Sequence, residues 1–145
     1  MINHRKHFLY LIIFCLIFSH SITAQSKKSE KIKSTLIELF EYCANNNYNG
    51  ASKLLAYSGE DSVRRWVDTY DYSNDSDKKD IESLCKEVKS IVVSGGEFEF
   101  TEFTTKKETE GVWNIWLVEF QKGSKKKAYF AFLKIKGSYA LGDID

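Results

Sequence analysis

The sequence predicts an α+β domain in which N-terminal helices pack on a curved, four-stranded antiparallel sheet. Three observations carry this prediction. Apolar residues recur at helical spacing between about residues 29 and 94. After Gly95-Gly96 the pattern changes to alternating, β-branched and aromatic runs. Two turn dipeptides, Gly123-Ser124 and Gly137-Ser138, then cut the remainder into pieces of strand length. The chain has 145 residues, enough for one domain, and its 43% hydrophobic and 14% aromatic content excludes intrinsic disorder. A formal net charge of +1 gives no global attraction for nucleic acid.

The first residues read as an address. Arg5 and Lys6 precede an uninterrupted apolar run of 11 residues, Phe8 to Phe18. Ser21, Thr23 and Ala24 form a small-residue cleavage region, so residues 1–24 are expected to be a signal peptide cut between Ala24 and Gln25. A membrane span needs about 20 apolar residues, and this run is too short for one. Cys15 lies behind Phe14 inside the run, not behind small residues, which argues against lipidation. The expected product, residues 25–145, is a single exported domain, periplasmic or secreted. His4, His7 and His20 all lie in the leader, so that product contains no histidine. Ser-His-Asp and Cys-His catalysis are thereby removed, together with the commonest zinc ligand.

The elements follow in order. Helix one is predicted over Ser29 to Asn45, with Ile32, Leu36, Leu39, Phe40 and Cys43 on one stripe. Asparagines 45–47 and Asn49-Gly50 stop it, since Asn and Gly tolerate the left-handed conformation. Ala51 to Tyr57 reads as a short helical turn. Helix two is predicted over Asp61 to Tyr70, with Val63, Trp66, Val67 and Tyr70 sharing a face. Helix three runs from about Asp77 to Ser94, with Ile81, Leu84, Cys85, Val88 and Ile91 inward. Cys43 and Cys85 thus sit on the apolar stripes of two helices. They form either a disulfide or a pair of buried thiols.

Strands are predicted over Glu97–Lys106, Val112–Lys122, Lys127–Lys136 and Tyr139–Ile144. Phe103 breaks the alternation set by Phe98 and Phe100, which places a bulge near Thr101-Glu102. A two-residue loop at Gly123-Ser124 pairs Val118 with Tyr129 and Trp116 with Ala131. One face then carries Val112, Asn114, Trp116, Val118 and Phe120 with Tyr129, Ala131, Leu133 and Ile135, and it is assigned to the helices. The other carries Trp113, Ile115 and Leu117 with Phe130 and Phe132. It is too apolar for a solvated face, so a homodimer or the N-terminal lead-in is expected to cover it.

The order of elements, with GVWNIWLVEF (Gly111 to Phe120) as central strand and FLKIKGSYALGDID (Phe132 to Asp145) as closing hairpin, resembles the nuclear transport factor 2-like, cystatin-like cone. The closing hairpin resembles that of small exported bacterial members, among which are domains of unknown function and lumazine-binding-like or polyketide-cyclase-like proteins. The resemblance implies a cone-shaped pocket between helices and sheet. It also implies, in the enzymes, an Asp working with His or Tyr. Here the histidine is missing, and Asn114 is the one non-aromatic polar residue on the inner positions of the central strands.

Six residues are candidates to line that pocket: Trp66, Tyr70, Phe103, Asn114, Trp116 and Tyr129. Together they would give an apolar cavity with a few polar handles, the usual make-up of a small-molecule site. Asp71 to Glu82 (DYSNDSDKKDIE) places Asp71, Ser73, Asp75, Asp77 and Glu82 at the positions of a calcium loop. Ser76 stands where that loop needs Gly, and Lys78 where it needs an apolar residue, so helix caps and turn residues are the better reading. Lys125 to Lys127 and the lysines at 27, 28, 31 and 33 lack an aromatic stacking platform and read as solvated faces.

These features favour a non-catalytic exported domain that binds a small hydrophobic or aromatic ligand in its cone. Two alternatives stand beside it. One is a protein–protein interaction module acting through dimerisation or the apolar outer face. The other is a histidine-free proton-transfer enzyme using Tyr70 or Tyr129. No cofactor, metal, nucleic-acid partner or lasting membrane span is called for.

Overall fold

A computed structural model describes residues 4–145, with side chains described from residue 24 onward. The chain divides into two units, 1–31 and 32–145. Helix α1 (His4–Ala44) runs through the boundary. The charged and apolar residues of the expected leader, Cys15 among them, lie outside the described side chains. Among the described residues no helix is long and apolar enough to cross a membrane.

The second unit is α+β as predicted, with helical segments first and strands after. Its part of α1 buries Ile32, Leu36, Leu39, Phe40 and Cys43, the stripe set by a 3.6-residue repeat. Asn46 ends the helix in the left-handed region, with φ 54°. Asn47 then caps α2 (Tyr48–Ser52) by accepting a hydrogen bond from the Gly50 N–H at 3.0 Å. Helix α3 (Asp75–Gly95) begins two residues before the predicted start. Asn74 caps it, its side-chain oxygen accepting from the Ser76 N–H and hydroxyl. Ile81, Cys85, Val88 and Ile91 face the core.

Cys43 and Cys85 are joined as a disulfide, with Cα atoms 4.8 Å apart and a sequence separation of 42. A closed loop of that length removes unfolded-state entropy corresponding to about 4 kcal/mol in the chain-entropy treatment.

The sheet is open and antiparallel, in the order β1 (Phe98–Glu108), β2 (Gly111–Phe120), β3 (Lys127–Ile135), β4 (Ser138–Ile144). The register shifts between Phe100 and Glu102, at the parity break in the sequence. Two features of the hairpins differ from the prediction. The β2–β3 connection spans Gln121 to Lys126, so Val118 pairs with Ala128 and Trp116 with Phe130. This one-residue difference carries every β3 side chain to the opposite face. The face toward the helices therefore holds Asn114, Trp116, Val118 and Phe120 with Ala128, Phe130 and Phe132. The outer face holds Trp113, Ile115 and Leu117 with Tyr129, Ala131, Leu133 and Ile135. The β3–β4 turn is centred on Lys136 and Gly137, at φ 48° and 88°, not on Gly137-Ser138. Positive φ at both central residues is the twist-matched two-residue hairpin geometry.

The predicted helix two is absent. In its place a ribbon, residues 57–69, leaves the segment Leu55–Ala56 and returns to it. Leu55 bridges parallel to Leu141, and Ala56 bridges antiparallel to Thr69. Asp61 nucleates one turn, its carbonyl accepting from the N–H groups of Arg64 and Arg65. A second turn follows, the Arg64 carbonyl accepting from the N–H groups of Val67 and Asp68, and within it Trp66 has φ 63° and donates its N–H to the Tyr57 carbonyl at 3.0 Å. Val63 and Val67, which the helix would have paired inward, are exposed.

Candidate functional site

The six residues expected to line one pocket occupy two sides of the sheet. Tyr70 and Trp116 lie in the main core cluster with Phe130 and Phe132, and Phe103 packs against that cluster. Phe103 and Phe100 both contact the Trp116 indole, each with ring centres 5.2 Å away. Trp66 and Tyr129 do not belong to this set. Trp66 meets Trp113 edge to face on the outer side, with ring centres 5.4 Å apart. Tyr129 stands 47% exposed on the outer face, because of the β3 register.

On the inner side the polar handles are mostly engaged. The Tyr70 hydroxyl lies 3.0 Å from Ser58 Oγ and also accepts from the Ser58 N–H. Asn114 is 3% exposed, and its amide N–H groups donate to the carbonyls of Val112 and Phe132 at 3.0 and 3.3 Å. Its Oδ1 has no partner in the described structure. A buried acceptor left unpaired is uncommon enough to require an explanation.

The acidic segment after the ribbon is organised by an arginine. Arg64 donates two hydrogen bonds to Asp77, Nη1 to Oδ1 at 3.0 Å and Nη2 to Oδ2 at 2.6 Å. Nη2 also donates to the Thr69 carbonyl, and the guanidinium lies 4.0 Å over the Tyr57 ring. Asp77 is 1% exposed and accepts further from the Asp71 N–H and Ser76 Oγ. The Arg64 hydrogen bonds hold its carboxyl below the usual carboxylate range, against the opposing effect of burial. Asp71 is taken up by Ser73, and Glu82 accepts from the Tyr72 hydroxyl. Among the described residues no group of three or more His, Cys, Asp or Glu side chains is arranged to hold a metal ion. Sequence reasoning missed Arg64. Its only visible signal was a basic residue among apolar ones, thirteen positions before an aspartate.

The outer face is divided by the ribbon. At one end Trp113, Leu133, Ile135 and Ala140 form a second cluster with Ala56, against which Trp66 packs. Gly142 makes this possible, since a Cβ there would stand 2.7 Å from the Trp113 ring and 3.0 Å from Trp66. Lys136 ties the β3–β4 turn to Asp68 of the ribbon at 2.8 Å. At the other end the face is open. A groove of about 510 Å³ lies over Trp113, Ile115, Tyr129 and Ala131, walled by Lys106, Glu108, Glu110, Asp143 and Asp145. The Trp113 indole N–H donates to Glu110 at 3.3 Å, and Lys106 pairs with Glu108 at 2.6 Å. The β3–β4 register places Asp143 beside Ala131. Backbone hydrogen bonds in both directions place Asp145 beside Tyr129.

The arrangement therefore offers a recess with an aromatic and aliphatic floor and acidic walls. A family search, a search of curated proteins and a search of solved structures each return no match to this chain.

Proposed function

We propose that this chain is a non-catalytic, exported binding module that engages a protein partner through the open end of its outer sheet face. One observation carries the reading: the ribbon covers only one end of an apolar sheet face and leaves Tyr129, Ile115 and Ala131 at the floor of a groove. An apolar surface left open beside charged walls is the composition of an interaction site. The filled inner face supports the same choice, since Val118, Phe130 and Phe132 are fully buried there. The Tyr70 hydroxyl is held by Ser58, which leaves the proton-transfer alternative without an acid–base pair at that residue.

The test is a photo-crosslinking amino acid placed at Tyr129, with the same group at exposed Val63 on the ribbon as control. Adducts are identified by mass spectrometry. A defined partner captured at 129 and lost on Ala131→Glu supports the module. Equal capture at 63, or none at 129, overturns it. An adduct of twice the chain mass assigns the groove to a second copy, the homodimer expected from the sequence, and removes the separate partner.

Asn114 favours a second reading, which is also the one implied by the resemblance to the nuclear transport factor 2-like cone. Its unpaired Oδ1 suits a small ligand that brings a hydrogen-bond donor to the inner face. Native mass spectrometry of the purified protein separates the two, because only this reading requires a bound small molecule that leaves on denaturation.

A further inference from the structure

The groove's walls are chemically one-sided, and this bears on what kind of partner it takes. Four carboxylates, from Glu108, Glu110, Asp143 and Asp145, face one ammonium, from Lys106. That ammonium is already paired with Glu108. The chain as a whole is nearly neutral, at +1, so the negative charge is a local concentration and not a reflection of composition. Asp143 and Asp145 are exposed, and among the described residues their carboxylates have no hydrogen-bond or ion-pair partner. They stand in register with Ala131 and Tyr129, the two floor residues contributed by β3.

Resting on the outer-face reading, we infer that the groove takes a basic peptide segment that carries apolar side chains together with Lys or Arg. Both kinds of side chain find a counterpart in the groove. A peptide lying along the face would present apolar side chains to Ile115, Ala131 and Tyr129, with its flanking cations beside Asp143 and Asp145. The exposed Tyr129 ring adds a surface on which a cation is attracted by the face of the aromatic system. A second copy of this chain is the poorer occupant. Face-to-face pairing would bring the same excess of carboxylates together from both sides, and like charges across an interface are unfavourable.

The probes are two acetylated hexapeptides, one alternating Lys with Phe and one alternating Glu with Phe. Binding to the ¹⁵N-labelled protein is followed by amide chemical shifts, at low salt and at about 0.3 M salt, where exposed charges are screened. The Lys–Phe peptide is expected to move the amides of Ile115, Tyr129, Ala131 and Asp143 and to bind more weakly in salt. The double variant Asp143→Asn/Asp145→Asn, at two exposed positions that leave the core untouched, is expected to weaken it by about three- to tenfold. The Glu–Phe peptide is expected to leave these amides unmoved. Equal binding of both peptides at these residues, unaffected by the double variant, overturns the charge inference while the outer-face reading survives. Binding of the Lys–Phe peptide at other residues, or no binding, also overturns the inference. The crosslinking at Tyr129 then judges the outer-face reading separately.

Discussion

Phe130 and Tyr129 are neighbours in β3, yet Phe130 is fully buried and Tyr129 is 47% exposed. The inner face of the sheet is buried at Asn114, Trp116, Val118 and Phe120 and at Ala128, Phe130 and Phe132, and it opens only toward its margin, where Val112 is exposed. On the outer face the cluster beside the ribbon and Leu117 are buried, while Tyr129 stands open. Composition does not separate the two, because Trp113, Leu133 and Ile135 outside are as apolar as Trp116, Val118 and Phe132 inside. Coverage separates them, and on the outer side coverage depends on a short irregular segment held by Arg64 and Asp77. A sheet face can thus be part core and part open groove, with the border drawn by a segment that the Arg64–Asp77 and Lys136–Asp68 pairs hold in place.

The contrast can be broken most severely at Phe130. Phe130→Ala should cost about 3–5 kcal/mol, the range for removing a fully buried aromatic side chain, read as a lower urea midpoint. The second effect tests the border. Asp77→Asn leaves Arg64 without its anion and should cost about 2–3 kcal/mol, less than a fully buried pair because Arg64 is partly exposed. It should also change the acid response. The Asp77 carboxyl titrates below its unfolded value, so its contribution is complete above the ordinary carboxylate pKa and is lost as pH falls through the lowered folded value. Urea midpoints measured down through the acid range should therefore fall further in the parent than in Asp77→Asn. The smallest effect belongs to Tyr129→Ala, which should change stability by less than about 1 kcal/mol. A loss as large as that of Phe130→Ala would mean that the outer face is core throughout.

Much of the architecture was legible in local pattern. The stripes Ile32–Leu36–Leu39–Cys43 and Ile81–Cys85–Val88 turned inward because a 3.6-residue repeat admits one buried face. The bulge at Phe100–Glu102 followed from the parity of three phenylalanines. The failures were non-local. Val63, Trp66, Val67 and Tyr70 have helical spacing, but their segment is held by a distant aspartate, by a bridge to Thr69 and by the Tyr57 ring. None of these contributes to a local repeat. The β3 faces were misassigned because loop length fixes parity, and the lysine-rich stretch after Gly123 does not mark where pairing resumes. That single residue also moved Tyr129 out of the expected pocket and into the groove. Asp143 and Asp145 gained their meaning from the same register, which no spacing within β4 announces.

The disulfide encloses the ribbon, because Arg64 and Asp77 both fall between Cys43 and Cys85. A protease that cuts at exposed Arg65 would leave both pieces attached to one another through α1 and α3. In oxidising surroundings such a nicked molecule persists as one body, and only a reductant lets the fragments part. The bridge turns damage to this exposed segment into a scar that does not sever the chain.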